Sequence, residues 1–274
     1  MTHSTLQDFI NSSTDELVTH LDSSGVFRIC INRPALHNAF NDHVIALLIS
    51  AFESANENDD VRVIILQSEG KNFSAGADLN WMKSMAQLNL EENKRDAAEL
   101  ARLMSVIYLS PKPVIARTQG ASFGGALGLI ACCDIAIATD KARFCLSEVK
   151  IGLVPAVISP YVSKAIGARA AQRYFITAEQ FSADKALQLG LLHEVVSADL
   201  LDETVDSIAN TLIANGPQAV AEAKTLAQYV SEHPINTDTI NYTTDLIAKI
   251  RVSAEGQEGL SAFLEKRPAN WNKS

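Results

Sequence analysis

Short β-branched runs alternate along the chain with longer stretches of helical apolar spacing. Residues 26–31 form a β-rich run. Over 42–57, Val44, Leu47, Leu48, Ala51 and Phe52 recur at the spacing of an amphipathic helix. Residues 61–66 are a continuous β-branched run, which predicts a strand buried on both faces. A loop rich in Gly, Ser and Asn follows over 68–77. Asn89 stands in a helix-capping position with Glu92 placed to complete a capping box. That helical pattern runs to about residue 109, where Pro111 and Pro113 stop it.

Residues 114–118 predict a second buried strand, 119–120 a turn, and 125–131 a short apolar helix. Strands are expected at 135–139 and 143–146. Beyond Ser159 the chain reads as almost wholly helical. Ser182 caps a helix over 183–189 that Gly190 ends, and 192–196 is a last strand. Three helical patterns fill 200–264, with breaks near 216–217, 233–234 and 252–253. This alternation predicts an α/β core with parallel pairing. A boundary is expected near residue 200, between a catalytic core at 1–200 and a C-terminal helical region at 201–274. No linker or internal repeat marks it.

The length, 274 residues, suits one large domain with an appendage. A net charge of −9 makes the chain a poor generic binder of nucleic acid or anionic membrane. Local charge still permits a small anionic ligand. Cys30, Cys132, Cys133 and Cys145 form no CxxC pair, and no His spacing completes a zinc site, so free thiols and no metal are expected. Residues 1–18 have neither an arginine-rich amphipathic pattern nor an apolar signal core. The most apolar stretch, 124–138, is interrupted by Asp134 and is too short to span a bilayer. A cytoplasmic protein is expected.

Two glycine-containing segments, each directly after a buried strand, are the first candidate chemistry: NFSAGADL at 72–79 and GASFGGALG at 120–128. Loops at the carboxyl ends of strands are where open α/β folds place ligands. The N–H groups that open the helix at Gly125 have no helical partner, and the helix dipole favours negative charge there. Two such donors from separate loops would make an oxyanion hole. The same residues also suit tight turns in close packing. Dinucleotide and P-loop fingerprints are absent. Glu148, between a strand and the apolar run 151–158, would have a raised pKa if buried, as a general acid/base near neutral pH requires. A loop Glu bonded to backbone fits the same position.

Taken together, these segments resemble the crotonase (enoyl-CoA hydratase/isomerase) family from about residue 25 to 271. NRPALHNAF at 32–40 resembles the family's N-terminal CoA-binding turn, FSAGAD at 73–78 its first oxyanion loop, and 120–134 its second. RFCLSE at 143–148, with Gly152 and Pro155, resembles the catalytic-glutamate segment, and FLEKR at 263–267 the C-terminal signature. The resemblance implies a spiral of ββα turns with a C-terminal helical trimerisation region, as homotrimers or dimers of trimers. It implies an acyl-CoA substrate, with coenzyme A as part of it and no prosthetic group. It implies Glu148 and the backbone N–H groups of Ala77 and Gly125 as the catalytic groups. The substrate and its CoA would lie along Arg33, Leu36, Ala39, Ala75, Gly76, Asp78, Leu79, Phe123, Gly124, Gly128 and Pro155, with Lys266 reaching a CoA phosphate, on a neighbouring subunit or its own.

One departure stands out. Hydratases of the common type carry two glutamates, and the first falls on Gly128. A single glutamate is also what some Δ3-Δ2 enoyl-CoA isomerases of the family use. The segments 73–82, 120–125 and 146–160 resemble bacterial 3-methylglutaconyl-CoA hydratases of leucine degradation and the related isohexenylglutaconyl-CoA hydratases. The missing side chain at Gly128 is expected to leave room for a branched acyl chain.

Overall fold

The computed structural model describes residues 14–272. A six-stranded sheet runs β1(Leu17–Leu21), β2(Val26–Ile31), β3(Val63–Ser68), β4(Val114–Thr118), β6(Ile135–Thr139), β9(Glu194–Val196). Among the described residues, β1–β2 is the one antiparallel pair within this sheet. A smaller sheet has the order β5(Ala121–Phe123), β7(Arg143–Cys145), β8(Phe181–Ser182). Successive units therefore place one strand in the large sheet, the next in the small one, and then a helix. β4 and β5 lead into α4(Gly125–Cys132), and β6 and β7 lead through a 3-10 turn, Glu148–Ile151, into α5(Ser159–Ile166) and α6(Ala168–Thr177). This is the spiral of ββα turns.

Side-chain alternation divides the large sheet between two apolar clusters. Phe27, Ile29, Ile64, Leu66, Val114 and Ala116 face a core that also holds residues of α1(Asp42–Glu57), α3(Leu90–Tyr108) and α4. Val26, Val63, Ile65, Ile115 and Ile137 face Leu201, Val205 and Ala209 of α8(Leu201–Ile213). Helix α4 is apolar on all sides, and Ala126, Leu127, Gly128, Leu129 and Ile130 are all buried, as such a helix requires. The capping box at the start of α3 is formed, with both the Asn89 and the Glu92 side chains engaged. The remaining helices are α2(Leu79–Met85), α7(Ala183–Leu189), α9(Pro217–Glu232), α10(Thr237–Val252) and α11(Ala254–Glu265).

Some sequence expectations shift. The three C-terminal helical patterns are four helices, α8 to α11, because each break is a true end. Helix α8 lies on the sheet itself, held by Arg28–Asp206 and Arg117–Asp202 ion pairs. Helix α9 is tied to the core by Lys224, which donates to Asp134 at 2.8 Å and to the Lys112 carbonyl. Asp134 in turn accepts from Val114 N–H, so this pair bridges α9 and the start of β4. Cys132, Cys133 and Cys145 are buried free thiols, and Cys30 is partly exposed. Most of the N-terminal stretch read for targeting signals, residues 1–13, lies outside the described residues.

Candidate active site

The segment 73–78 is threaded between two neighbours. On one side Ser74 N–H donates to Ala121 C=O, and Phe123 N–H donates to Ser74 C=O. On the other side Phe40 N–H donates to Gly76 C=O, and Asp78 N–H donates to Phe40 C=O. In extended backbone successive N–H groups point to opposite sides. With Gly76 C=O and Asp78 N–H facing Phe40, Ala77 N–H faces the other way, toward the β5 side. No partner for it is found among the described residues.

Gly125 opens α4, and its N–H also has no partner among the described residues. Gly124 precedes it at φ 54, ψ −127, where an L side chain is strained. Gly124 N–H donates to Cys145 C=O at 2.8 Å, which fixes the turn. Gly76 brings the two loops together. A Cβ there would stand 2.6 Å from Phe123 O and 3.7 Å from Gly125 N. Two unpartnered donors on adjoining loops are thus set by glycines that permit close backbone approach.

Glu148 approaches from a third element, the 3-10 turn after β7. Its Oε1 would lie 3.3 Å from a Cβ at Gly124, so the carboxylate rests against that glycine. Its Oε2 is buried without a hydrogen-bond partner among the described residues. Burial pushes the carboxyl above the usual carboxylate range, only partly opposed by a bond to its own backbone. A buried carboxylate oxygen without a partner costs stability, and such groups cluster at functional sites.

Arg33 and Asp78 tie the two segments to each other. The Arg33 guanidinium donates to Ala39 C=O, pairs with Glu16 at 2.9 Å and with Asp78 at 3.1 Å, and is 11% exposed. Asp78 also caps α2 through Asn80 and Trp81 N–H groups. Burial alone would raise the Asp78 pKa, but those donors and Arg33 outweigh it and hold the carboxyl below its usual value. Both side chains hold the 33–40 and 73–78 segments together. Asn38, in left-handed backbone, adds to this clamp by donating to Glu69 and Asn72 carbonyls.

The room expected beside Gly128 is absent. A Cβ at Gly128 would fall 2.2 Å from Ile158 Cγ2 and 3.1 Å from Met104 Sδ. Ile158 fills the space, which no sequence spacing signals. Gly128→Ala is accordingly expected to destabilise the fold by about 1–3 kcal/mol through overpacking. Thermal unfolding checks this, and an unchanged Tm would contradict the packing.

The other expected residues divide. Leu36, Ala75 and Leu79 are exposed beside the loops, Phe123 is half-buried, and Ala39 and Pro155 are buried. Lys266 ends α11, on the C-terminal helices rather than on these loops. Residues 120–124 also spell the G-x-S-x-G pattern of serine hydrolases. Ser122 lies fully buried within β5, its hydroxyl without a partner among the described residues, so it lacks both the exposed turn and the base of a nucleophile. A cavity of about 1000 Å³ lies at the opposite, N-terminal ends of β3 and β4 and holds neither Glu148 nor the two loops. Among the described residues no group of three His, Cys, Asp or Glu is placed to hold a metal.

The family model of enoyl-CoA hydratases/isomerases matches residues 22–274. The chain belongs to that family. A crystal structure of an enoyl-CoA hydratase from Shewanella pealeana ATCC 700345 is 47% identical with a TM-score of 0.92, covering 99% of this chain and 100% of that one. A crotonyl-CoA hydratase from Syntrophomonas wolfei is 30% identical over 243 residues, 88% of this chain and 92% of the relative. A 2,3-dehydroadipyl-CoA hydratase from Escherichia coli is 28% identical over 243 residues, 88% of this chain and 93% of the relative.

Proposed function

We propose that the chain is a lyase that adds water across the 2,3-double bond of an enoyl-CoA, with 3-methylglutaconyl-CoA as substrate. The observation that carries this reading is the Glu148 carboxylate lying against Gly124, its Oε2 buried and without a partner among the described residues, one residue from a free helix N–H. The thioester oxygen docks between Ala77 and Gly125 N–H groups. Glu148 takes a proton from water as the water oxygen bonds to C3. The C2=C3 electrons move onto the thioester oxygen as an enolate, which the two N–H donors stabilise. Glu148 then returns the proton to C2 and ends ionised. CoA lies along 33–39 and 75–78, past Leu36 and Leu79, with Lys266 reaching a phosphate. A panel of enoyl-CoAs, followed by loss of the conjugated-thioester absorbance, tests the reading. Turnover of at least one supports it, and CoA binding with no turnover of any would leave a binding protein instead.

A single carboxylate equally suits a Δ3-Δ2 isomerase, in which Glu148 moves one proton from C2 to C4. Accumulation of the 2-enoyl-CoA from a 3-enoyl-CoA, with no hydration of the product, would favour it. As a base Glu148 must be ionised, so kcat/KM should rise with pH along an acid limb set by its raised pKa. A limb at or below the usual carboxylate range would contradict the burial.

Gly128 leaves one negative charge at the site where two carboxylates would place two. This lowers repulsion against a distal substrate carboxylate, since like charges in a partly dry site interact more strongly than in water. The relative that acts on 2,3-dehydroadipyl-CoA supports a diacid thioester. A higher kcat/KM for 3-methylglutaconyl-CoA than for crotonyl-CoA is expected, and equal values would remove this assignment.

The chain self-associates as a trimer in this reading. Ile235, Val252, Phe263 and Leu264 of the C-terminal region stand 77–93% exposed, more bare apolar surface than a lone subunit ordinarily leaves. Leu201 and Val205, by contrast, are spent on the sheet. Light scattering should report an assembly larger than a monomer at micromolar concentration. Among the described residues no helix is long and apolar enough to cross a membrane, and a cytoplasmic enzyme is proposed.

A further inference from the structure

Gly124 and Gly128 lie four positions apart at the start of α4, so they share one face, about 6 Å apart along the axis. Each seats one end of the segment that carries the acid/base. Glu148 rests on Gly124, and Ile158 rests on Gly128. Between them the backbone turns through Gly152 in left-handed geometry, leaving Ile151, Leu153 and Val154 more than half exposed. Ile158 itself is 2% exposed, with Met104 beside it at the Gly128 contact. An apolar side chain therefore stands about one helical turn from the carboxylate, on the same helix face, where a larger residue at position 128 could not coexist with it.

We infer that Ile158, seated on Gly128, is a specificity-determining residue that forms the floor of the acyl pocket and limits how far the acyl chain extends beyond the carbons served by Glu148. The inference rests on the hydratase reading above and adds the residue that sets chain length. Gly128 and Ile158 act as a size-matched pair. The small residue on the helix makes space that the branched residue fills. Shortening Ile158 lengthens the pocket without touching the proton chemistry. Enlarging Gly128 alone drives Ile158 outward and shortens it.

The test measures kcat/KM for straight-chain 2-enoyl-CoAs of increasing length with wild type, Ile158→Val and Ile158→Ala. One methylene in an apolar pocket is worth about 10-fold or more in discrimination. The ratio of long-chain to crotonyl-CoA kcat/KM should rise about 10-fold in Ile158→Ala, and less in Ile158→Val, with the acid limb of the pH profile unmoved. Gly128→Ala should lower activity toward longer chains, and adding Ile158→Ala should restore it. If wild type hydrates an enoyl-CoA but neither variant at 158 changes the chain-length profile, the inference is overturned while the hydratase reading stands. If wild type hydrates none, the reading itself fails and the inference goes with it. Should Ile158→Ala not fold, the smaller change in Ile158→Val decides by the same ratio.

Discussion

Replacing Glu148 by glutamine is expected to lower turnover by about 10²–10⁴-fold, the usual contribution of general acid–base catalysis, while CoA binding survives. Glutamine keeps the size of the side chain that rests on Gly124 but cannot take a proton. The same variant should not be less stable than wild type at neutral pH. Burial raises the folded-state pKa of Glu148 above its unfolded value. At acid pH both states are protonated and the carboxyl costs nothing. As pH rises past the unfolded value, the unfolded chain ionises first and the folded state loses relative stability until its own pKa is passed. Glutamine never ionises, so its advantage should be present at neutral pH and vanish toward acid. Turnover above half of wild type would remove Glu148 from the mechanism. A lower neutral-pH Tm would mean that the carboxylate has a partner in solution.

Gly76→Ala is expected to cost about 10²–10³ in kcat, the range seen when an oxyanion donor is lost. Gly76 sits at φ 89, and its new Cβ would meet Phe123 O at 2.6 Å. Neither backbone can yield without parting the loops that carry Ala77 and Gly125 N–H groups. The donors would then no longer converge on one oxygen. Because the loss is felt where charge develops, kcat should fall much further than KM rises. Gly167→Ala separates strain from displacement. Its φ of 77 is equally unfavourable, but nothing lies within 4 Å of the new Cβ, and it stands between α5 and α6. That variant should lose some stability and keep its activity. Unchanged kcat in Gly76→Ala would mean that the two loops do not form the site.

The buried strands and amphipathic helices were legible because their signals are local. α1 spans the residues its apolar spacing predicts, and Ser182 and Asn89 cap the helices they were expected to cap. β1 was not read, since LVTHL mixes polar and apolar residues as the outer strand of the sheet. β5 is three residues long, too short to show a period, whereas the equally short β7 lies within the strand expected at 143–146. The ββα repeat left no trace because its units share topology and not residue identity. In the site, the glycine loops and Glu148 were legible through residue type and position after strands. The engagement of Arg33 with Asp78 was not, because it joins residues 45 positions apart. The filling of Gly128 by Ile158 was equally silent, since a steric match across 30 positions imposes no spacing in the chain.

In the proposed reaction this site adds water to an enoyl-CoA with Glu148 as the proton carrier. Incubation of the enzyme with an enoyl-CoA in ¹⁸O-labelled water, followed by mass spectrometry of the thioester, tests it most directly. A 3-hydroxyacyl-CoA carrying one labelled oxygen, formed by wild type and not by Glu148→Gln, is the predicted result. A thioester of unchanged mass with its double bond moved, or labelled product formed at the same rate by both proteins, would contradict it.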